Sequence, residues 1–231
     1  LTNNAPDSAA LGVLMLDTRF PRPQGDVGNP ATFPFPVRYR VVQGASPERV
    51  VRLRAAGLLE PFIEAARELV KAGCIGITTT CGFLVLFQRE LATALPVPVM
   101  TSSLLQIPAL QRSLAPGELV GVVTISATSL TAEHLAVAGA TGEVPVEGVN
   151  AAGEMARAIL GNQTTLDTAL VQAEVVLAAQ QLIAHQPAVK AIVLECTNMP
   201  PYADAVRRAT GLPVYDALTA LTGFWRDLRP S

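Results

Sequence analysis

The chain has 231 residues, half of them hydrophobic and 16% charged, with a net charge of −2 at pH 7. That is ample apolar material for one large or two small packed domains, while the near-neutral balance and the lack of any Lys/Arg-rich run exclude an electrostatic nucleic-acid surface. No apolar run approaches the roughly 20 residues of a membrane helix, no charged-then-apolar leader opens the chain, and three cysteines do not make a disulfide framework; the expected setting is a reducing cytoplasm.

Residues 1–10 are polar and are expected to be loose. Leu11–Leu16 reads as a buried strand ending at Asp17-Thr18. A long irregular stretch follows from Arg19 to Arg38, where Pro21, Pro23, Pro30, Pro34 and Pro36 deny a helix its amides and a sheet its ladder bonds. A loop of that length inside a compact domain is more often functional than not, and Arg22 and Asn29 are candidates to close over a site. Val37–Val42 reads as a second strand, and Leu58–Ala72 carries apolar residues at helical spacing up to Gly73. Strand Ile75–Thr79, a helix near Leu84–Leu95, strand Val97–Met100 and a helix near Leu104–Ser113 complete the first half.

The second half follows suit. Strand Leu119–Thr124 leads to helix Thr131–Ala138, strand Val144–Val149, a short helix at Ala151–Leu160 and a long one from Thr165 to His185. Strand Ala191–Leu194, helix Tyr202–Thr210, strand Pro213–Tyr215 and helix Ala217–Leu228 finish the chain. Alternating strands and helices predict an α/β fold of parallel sheets covered by helices. Right-handed crossovers place all strand C-termini of a sheet on one edge, where ligands bind. Asp17, Cys81, Thr101, Thr124, Cys196 and Asp216 all fall at or just past such ends.

The two halves repeat. Cys81, in Thr80-Cys81-Gly82-Phe83, follows the strand-like Cys74-Ile75-Gly76-Ile77; Cys196, in Glu195-Cys196-Thr197-Asn198, follows Ala191-Ile192-Val193-Leu194. Seventeen residues past each cysteine a proline, Pro98 or Pro213, opens another short strand. The repeat predicts two pseudo-symmetric lobes, 1–115 and 116–231, with an active site between them and a C-terminal helix that crosses back to the first lobe. A thiol at each equivalent strand end can face one substrate from two sides. Both lie in strand-to-helix turns, where helix amides favour the thiolate, so they read as catalytic, whereas Cys74 reads as a small core hydrophobe. The cysteines and histidines are too scattered for a metal site, no glycine-rich phosphate loop follows the first strand, and His134 and His185 fall on predicted helices.

At these residues, and over nearly the whole chain, the sequence resembles the aspartate/glutamate racemase superfamily, which includes hydantoin racemases, maleate isomerases and arylmalonate decarboxylases. The resemblance implies a cofactor-independent, metal-independent isomerase acting on a small, amino-acid-like carboxylate. In it Cys81 and Cys196 form an acid/base pair, one thiolate removing the proton beside the carboxylate and the opposite thiol returning one. Asp17, Thr80, Gly82, Thr124, Thr197 and Asn198 are the expected substrate-binding groups. Gly82-Phe83 replace the Asn-Thr that follows the first cysteine of glutamate racemases, and Asn198 stands where they carry histidine, which points away from glutamate. The alternatives are a maleate-isomerase-like cis/trans isomerase, an arylmalonate-decarboxylase-like lyase (against which Cys81 counts, since those enzymes carry glycine there), and a non-catalytic carboxylate-binding protein. Assembly into a homodimer is left open.

Overall fold

In the computed structural model, which describes residues 9–229, the strands form two four-stranded sheets in which every neighbour is parallel. The first sheet has the order β2-β1-β3-β4, from β1 (Ala10–Leu16), β2 (Val37–Val42), β3 (Cys74–Thr79) and β4 (Val99–Met100). The second has the order β6-β5-β7-β8, from β5 (Leu119–Thr124), β6 (Val146–Gly148), β7 (Val189–Leu194) and β8 (Val214–Tyr215). The helices are α1 (Pro47–Val51), α2 (Leu59–Lys71), α3 (Gln88–Ala94), α4 (Ile107–Ser113), α5 (Ala132–Val137), α6 (Thr168–His185), α7 (Ala203–Thr210) and α8 (Ala217–Asp227). The looseness expected of the first residues concerns, up to residue 8, positions outside the described ones. Among the described residues, no helix is long and apolar enough to cross a membrane.

The central strands β1, β3, β5 and β7 are almost wholly buried, as covered parallel strands must be. In α2, Phe62, Ile63, Ala66 and Leu69 face the core, while Glu60, Glu64 and Glu68 remain exposed, the apolar stripe that anchors a surface helix. The duplication extends to a local irregularity. The β1–β3 pairing skips one residue between Ala10 and Leu11, and the β5–β7 pairing does the same between Leu119 and Val120.

The segments that depart from sequence expectation lie next to the strand ends. The helix expected near Leu84–Leu95 begins instead as a 3₁₀ turn at Gly82–Phe87 before α3, and the one near Leu104–Ser113 as a 3₁₀ turn at Ser103–Gln106 before α4. Ala151–Leu160 ends in a π-helical turn at Ala156–Leu160; the Glu174 carboxylate accepts from the Glu154 and Met155 amides at 2.6 and 3.0 Å and holds its start. Helix α1 is an addition, begun by Ser46, whose hydroxyl accepts from the Arg49 amide, and by Pro47 in its first turn.

Two helices leave the sheet from which they emerge. After β4, α4 packs on β5, and its Gln111 side chain bonds the Thr141 backbone beyond α5. After β8, α8 buries Ala217, Leu221 and Trp225 against Leu11 and Val13 of β1. Gly76 of β3 keeps room for this helix, because a Cβ there would run into Leu228. Trp225 also stacks on Phe35, with ring centroids 4.7 Å apart.

Candidate active site

Each cysteine stands two residues beyond the last paired residue of its strand, Thr79 in β3 and Leu194 in β7. The turns are held alike: the Thr80 amide donates to the Leu14 carbonyl at 3.0 Å, and the Glu195 amide to the Val123 carbonyl at 2.9 Å. Thr80 and Glu195 are therefore equivalent positions of the repeat. Both cysteines are buried and unoxidised. They line one small, largely enclosed cavity with room for about 20 Å³, far below the range for small-molecule sites, so its walls must part to admit a ligand.

Apolar side chains make most of its wall: Leu16, Phe20, Phe83, Ile125, Ile159 and Leu160, with Pro47 and Val51 of α1. Its polar groups come from Thr80, Glu195 and Asn198 beside the two thiols. The short helix α1 and the π turn thus bring apolar cover from the two halves of the chain. Behind Phe83 stands buried His134, edge-on to the ring with centroids 5.2 Å apart. His134 is a helix-start residue, its ring bonded to the Thr131 amide and hydroxyl.

The surroundings of the thiols are unequal. Burial, and then repulsion from Glu195, push the Cys81 thiol up. The Phe83 and Leu84 amides and the Arg22 charge act in the opposite direction. Cys196 is pushed up by burial and then by Glu195, with only the Asn198 amide opposing. Its Sγ–H donates to Asn198 Oδ1 at 3.3 Å. Both thiols are thus held protonated at neutral pH. Cys74 is buried in the core away from these lining residues, its pKa also raised by burial.

The proline-rich loop is anchored to the second half of the chain. Its buried Asp26 accepts from Asn198 Nδ2 at 2.5 Å and pairs with Arg22 Nη1 at 2.8 Å, while the Val27 amide donates to the Thr197 carbonyl at 3.2 Å. Arg22 lies 4.5 Å over the Phe20 ring and bonds Thr18 as well. Asn29 caps the 3₁₀ turn Pro30–Thr32 and donates to the Arg22 carbonyl. Arg22 and Asn29 therefore brace the loop that carries Phe20 to the cavity.

Of the sequence-derived binding groups, Thr80 and Asn198 line the cavity with the thiols, whereas Gly82 and Thr197 only adjoin the cysteines in their turns and Thr124 reaches the cavity through Glu195; most of their side chains bond within the protein. Thr80 Oγ1 accepts from the Leu16 amide, Thr197 Oγ1 donates to the Thr80 carbonyl at 2.6 Å, and Thr124 Oγ1 donates to Glu195 Oε2 at 2.8 Å. Asp17 goes elsewhere: its carboxylate accepts from the Gly44 amide at 3.1 Å and is not among the lining groups, the behaviour of a loop cap. Thr101 and Asp216 are also outside, bonded to Gln88 and to the start of α8.

Glu195 is the functional group that sequence reasoning passed over. It is fully buried, and burial raises its pKa to about 7 against the opposing Thr124 hydrogen bond. A carboxylate directly after four apolar residues of a buried strand was the available signal. Its carboxylate occupies the space that a Cβ at Gly82 would need. Gly82→Ala should therefore cost about 1–3 kcal/mol by overpacking, because the Glu195 backbone carbonyl is also in the way. Thermal unfolding should show a Tm lower by several degrees, with catalysis impaired; an unchanged Tm would mean that the turn relaxes freely.

Residues 105–224 match the family described as Asp/Glu/Hydantoin racemase. A dimethylsulfoniopropionate lyase from Durusdinium sp. clade D is 35% identical over 94% of this chain and 74% of that protein. Dimethylsulfoniopropionate lyase 7 from Emiliania huxleyi is 33% identical over 93% of this chain, which spans 66% of it. Among solved structures, allantoin racemase from Klebsiella pneumoniae superposes with a TM-score of 0.66 at 16% identity, covering 96% of this chain and 87% of that one. A cysteine-for-glycine mutant of arylmalonate decarboxylase does so with a TM-score of 0.63 at 19% identity, covering 96% and 97%. At these identities the solved structures speak for the fold alone.

Proposed function

We propose that this chain, which belongs to the Asp/Glu/hydantoin racemase family, is a lyase that splits dimethylsulfoniopropionate, or a closely similar β-sulfonio carboxylate, into dimethyl sulfide and acrylate. The observation that carries this reading is the 35% identity, over 94% of the chain, to a protein described as a lyase of that substrate. One cysteine thiolate takes a proton from the carbon beside the carboxylate. The freed electron pair forms the C=C bond, the bond from the β-carbon to sulfur breaks, and dimethyl sulfide departs uncharged. The proton left on the cysteine returns to solvent before the next turnover. The isomerase class expected from the superfamily resemblance gives way here to a lyase within the same enzyme fold.

The lining of the cavity suits such a substrate once the walls part to admit it. A sulfonium cation has no N–H to satisfy, so Phe20, Phe83, Ile125 and Ile159 can surround it without leaving donors unpaired. The Thr124 and Thr197 hydroxyls already have partners, so the substrate carboxylate falls to the Asn198 side chain, which lines the cavity and has a second Nδ2–H beyond the one given to Asp26, and to the backbone amides of the two turns. A second reading, a racemase or epimerase, is favoured by the thiols from both halves on one cavity.

Dimethylsulfoniopropionate has no stereocentre, so one pair of assays separates the readings. Purified protein with dimethylsulfoniopropionate should release dimethyl sulfide and acrylate in equal amounts, seen by headspace gas chromatography and proton NMR. Exchange of the Cα proton of amino acids or hydantoins in heavy water, with no sulfide released from the sulfonium compound, would overturn the lyase reading in favour of the racemase.

A further inference from the structure

The duplication is broken at one functional position. In the first half the residue before the cysteine is Thr80, whose hydroxyl is used by the Leu16 amide. In the second half the equivalent residue is Glu195, a carboxylate with no exposure. Thr124 donates to Oε2, but buried Oε1 has no hydrogen-bond partner among the described residues, and the residue lines the cavity beside both thiols. A buried polar atom without a partner costs about 1–3 kcal/mol, more when charged. The turn in the first half is built without any carboxylate, so the fold itself does not demand one here.

Building on the thiol chemistry of the reading above, we propose that Glu195 is the third member of the acid/base group, a positioning residue whose Oε1 receives the thiol proton of the working cysteine. The step is a proton exchange inside the cavity: Cys–SH and Glu195 carboxylate become Cys–S⁻ and Glu195 carboxylic acid. The thiolate then removes the Cα proton, and Glu195 loses its proton to solvent when the cavity opens. Moving the proton onto Glu195 also removes the negative charge that most strongly repels a thiolate at Cys81 or Cys196, burial being the only larger obstacle.

The ionisable groups around Glu195 are few. Cys81 comes from the turn after β3, Cys196 from its own turn, and the mutually paired Arg22 and Asp26 from the loop after β1. Tyr202, which interacts with Asp26 and Cys196, lies beyond β7. Neither α1 nor the π turn adds an ionisable lining group, contributing only Pro47, Val51, Ile159 and Leu160. Burial holds Glu195 near pH 7, so near and above that pH the group's negative charge rests on the carboxylate and both thiols keep their protons.

The test follows the three groups as a coupled set. The pH profile of alkylation by iodoacetamide, resolved by peptide mapping at Cys81 and Cys196, needs no substrate; the pH profile of kcat/KM for dimethylsulfoniopropionate is measured beside it. In the native protein both should rise with pH to a limb near 7 and then level off, because the singly deprotonated thiol–carboxyl pair is then fully populated and the small share of its charge on the thiol does not change with pH. In Glu195→Gln, which keeps the Thr124 hydrogen bond, the limb near 7 should vanish, and both rates should climb about tenfold per pH unit toward the thiol range. In Thr124→Val, losing the bond that favours the charged carboxylate should move the native limb to higher pH; this variant serves if Glu195→Gln fails to fold. Alkylation profiles that coincide in the native protein and the folded variant overturn the role of Glu195. Changed alkylation with no release of dimethyl sulfide by the native protein retains that role and overturns the lyase reading instead.

Discussion

Serine at Cys81 and serine at Cys196 are expected to affect elimination unequally. Dimethyl sulfide leaves as a neutral molecule and needs no proton, so the reaction requires one base and no acid on the opposite face. The variant lacking the working thiol should lose on the order of 10²–10⁴ in kcat, the usual contribution of a positioned general base, since a serine hydroxyl is too weak an acid to replace it. The other variant should stay within about tenfold of the native rate, a span of about 1.4 kcal/mol in activation free energy. Cys74→Ser, in the core of the first half, should turn over almost normally. Substrate carrying deuterium stereospecifically at the Cα position identifies the face: the native protein should remove only one of the two hydrogens. Equal, complete loss in both cysteine variants would point to two-base chemistry.

Arg22→Met should destabilise the protein strongly although it replaces no lining residue. The Arg22 side chain is only 8% exposed and its partner Asp26 only 1%, so the substitution strands a carboxylate in the interior. Breaking a buried pair in this way costs about 3–5 kcal/mol, which for a chain of this size lowers Tm by roughly 10 °C. Asp26 also holds Asn198, which in turn accepts from the Cys196 thiol, so activity should fall along with stability. The double variant Arg22→Met, Asp26→Asn removes the stranded charge and should recover a good part of the Tm. Calorimetry on the native, single and double variants checks this, and a single variant as stable as the native protein would show that water reaches Asp26.

These two sites differ in how legible they were. The cysteines could be read because they stand at strand ends in a repeat with no gap between Cys81–Pro98 and Cys196–Pro213. The buried runs of β1, β3, β5 and β7 were equally plain, because strands covered on both faces have no alternation to obscure them. The density of prolines marked 19–38 as irregular, but not where its groups go: Asp26 and Val27 bond to Asn198 and Thr197, about 170 positions away, and no local pattern encodes such pairings. Glu195 offered only the weak signal of a carboxylate after four apolar residues; its packing against Gly82 and its bond from Thr124 are what set it apart from an ordinary strand-end polar residue. Helix α1 carried its start signal in Ser46-Pro47-Glu48, but five residues are too few to show a helical period. The 3₁₀ turns and the π turn are set by what they pack against, which propensity does not report.

The exchange of α4 and α8 between the sheets bears on the history of the chain. A protein of half this length, with one sheet and the helix after its fourth strand, would have that helix directed away from its own sheet. Two identical copies could then have embraced by trading helices, each completing the other's core, and fusion of the two genes would have made the trade permanent within one polypeptide. Cut between Ser113 and Leu119, the chain should behave as that ancestor would. Neither fragment is expected to hold a native fold alone, for β1 would lack Leu221 and Trp225 and β5 would lack α4, whereas the two produced together should reassemble with both thiols on one cavity.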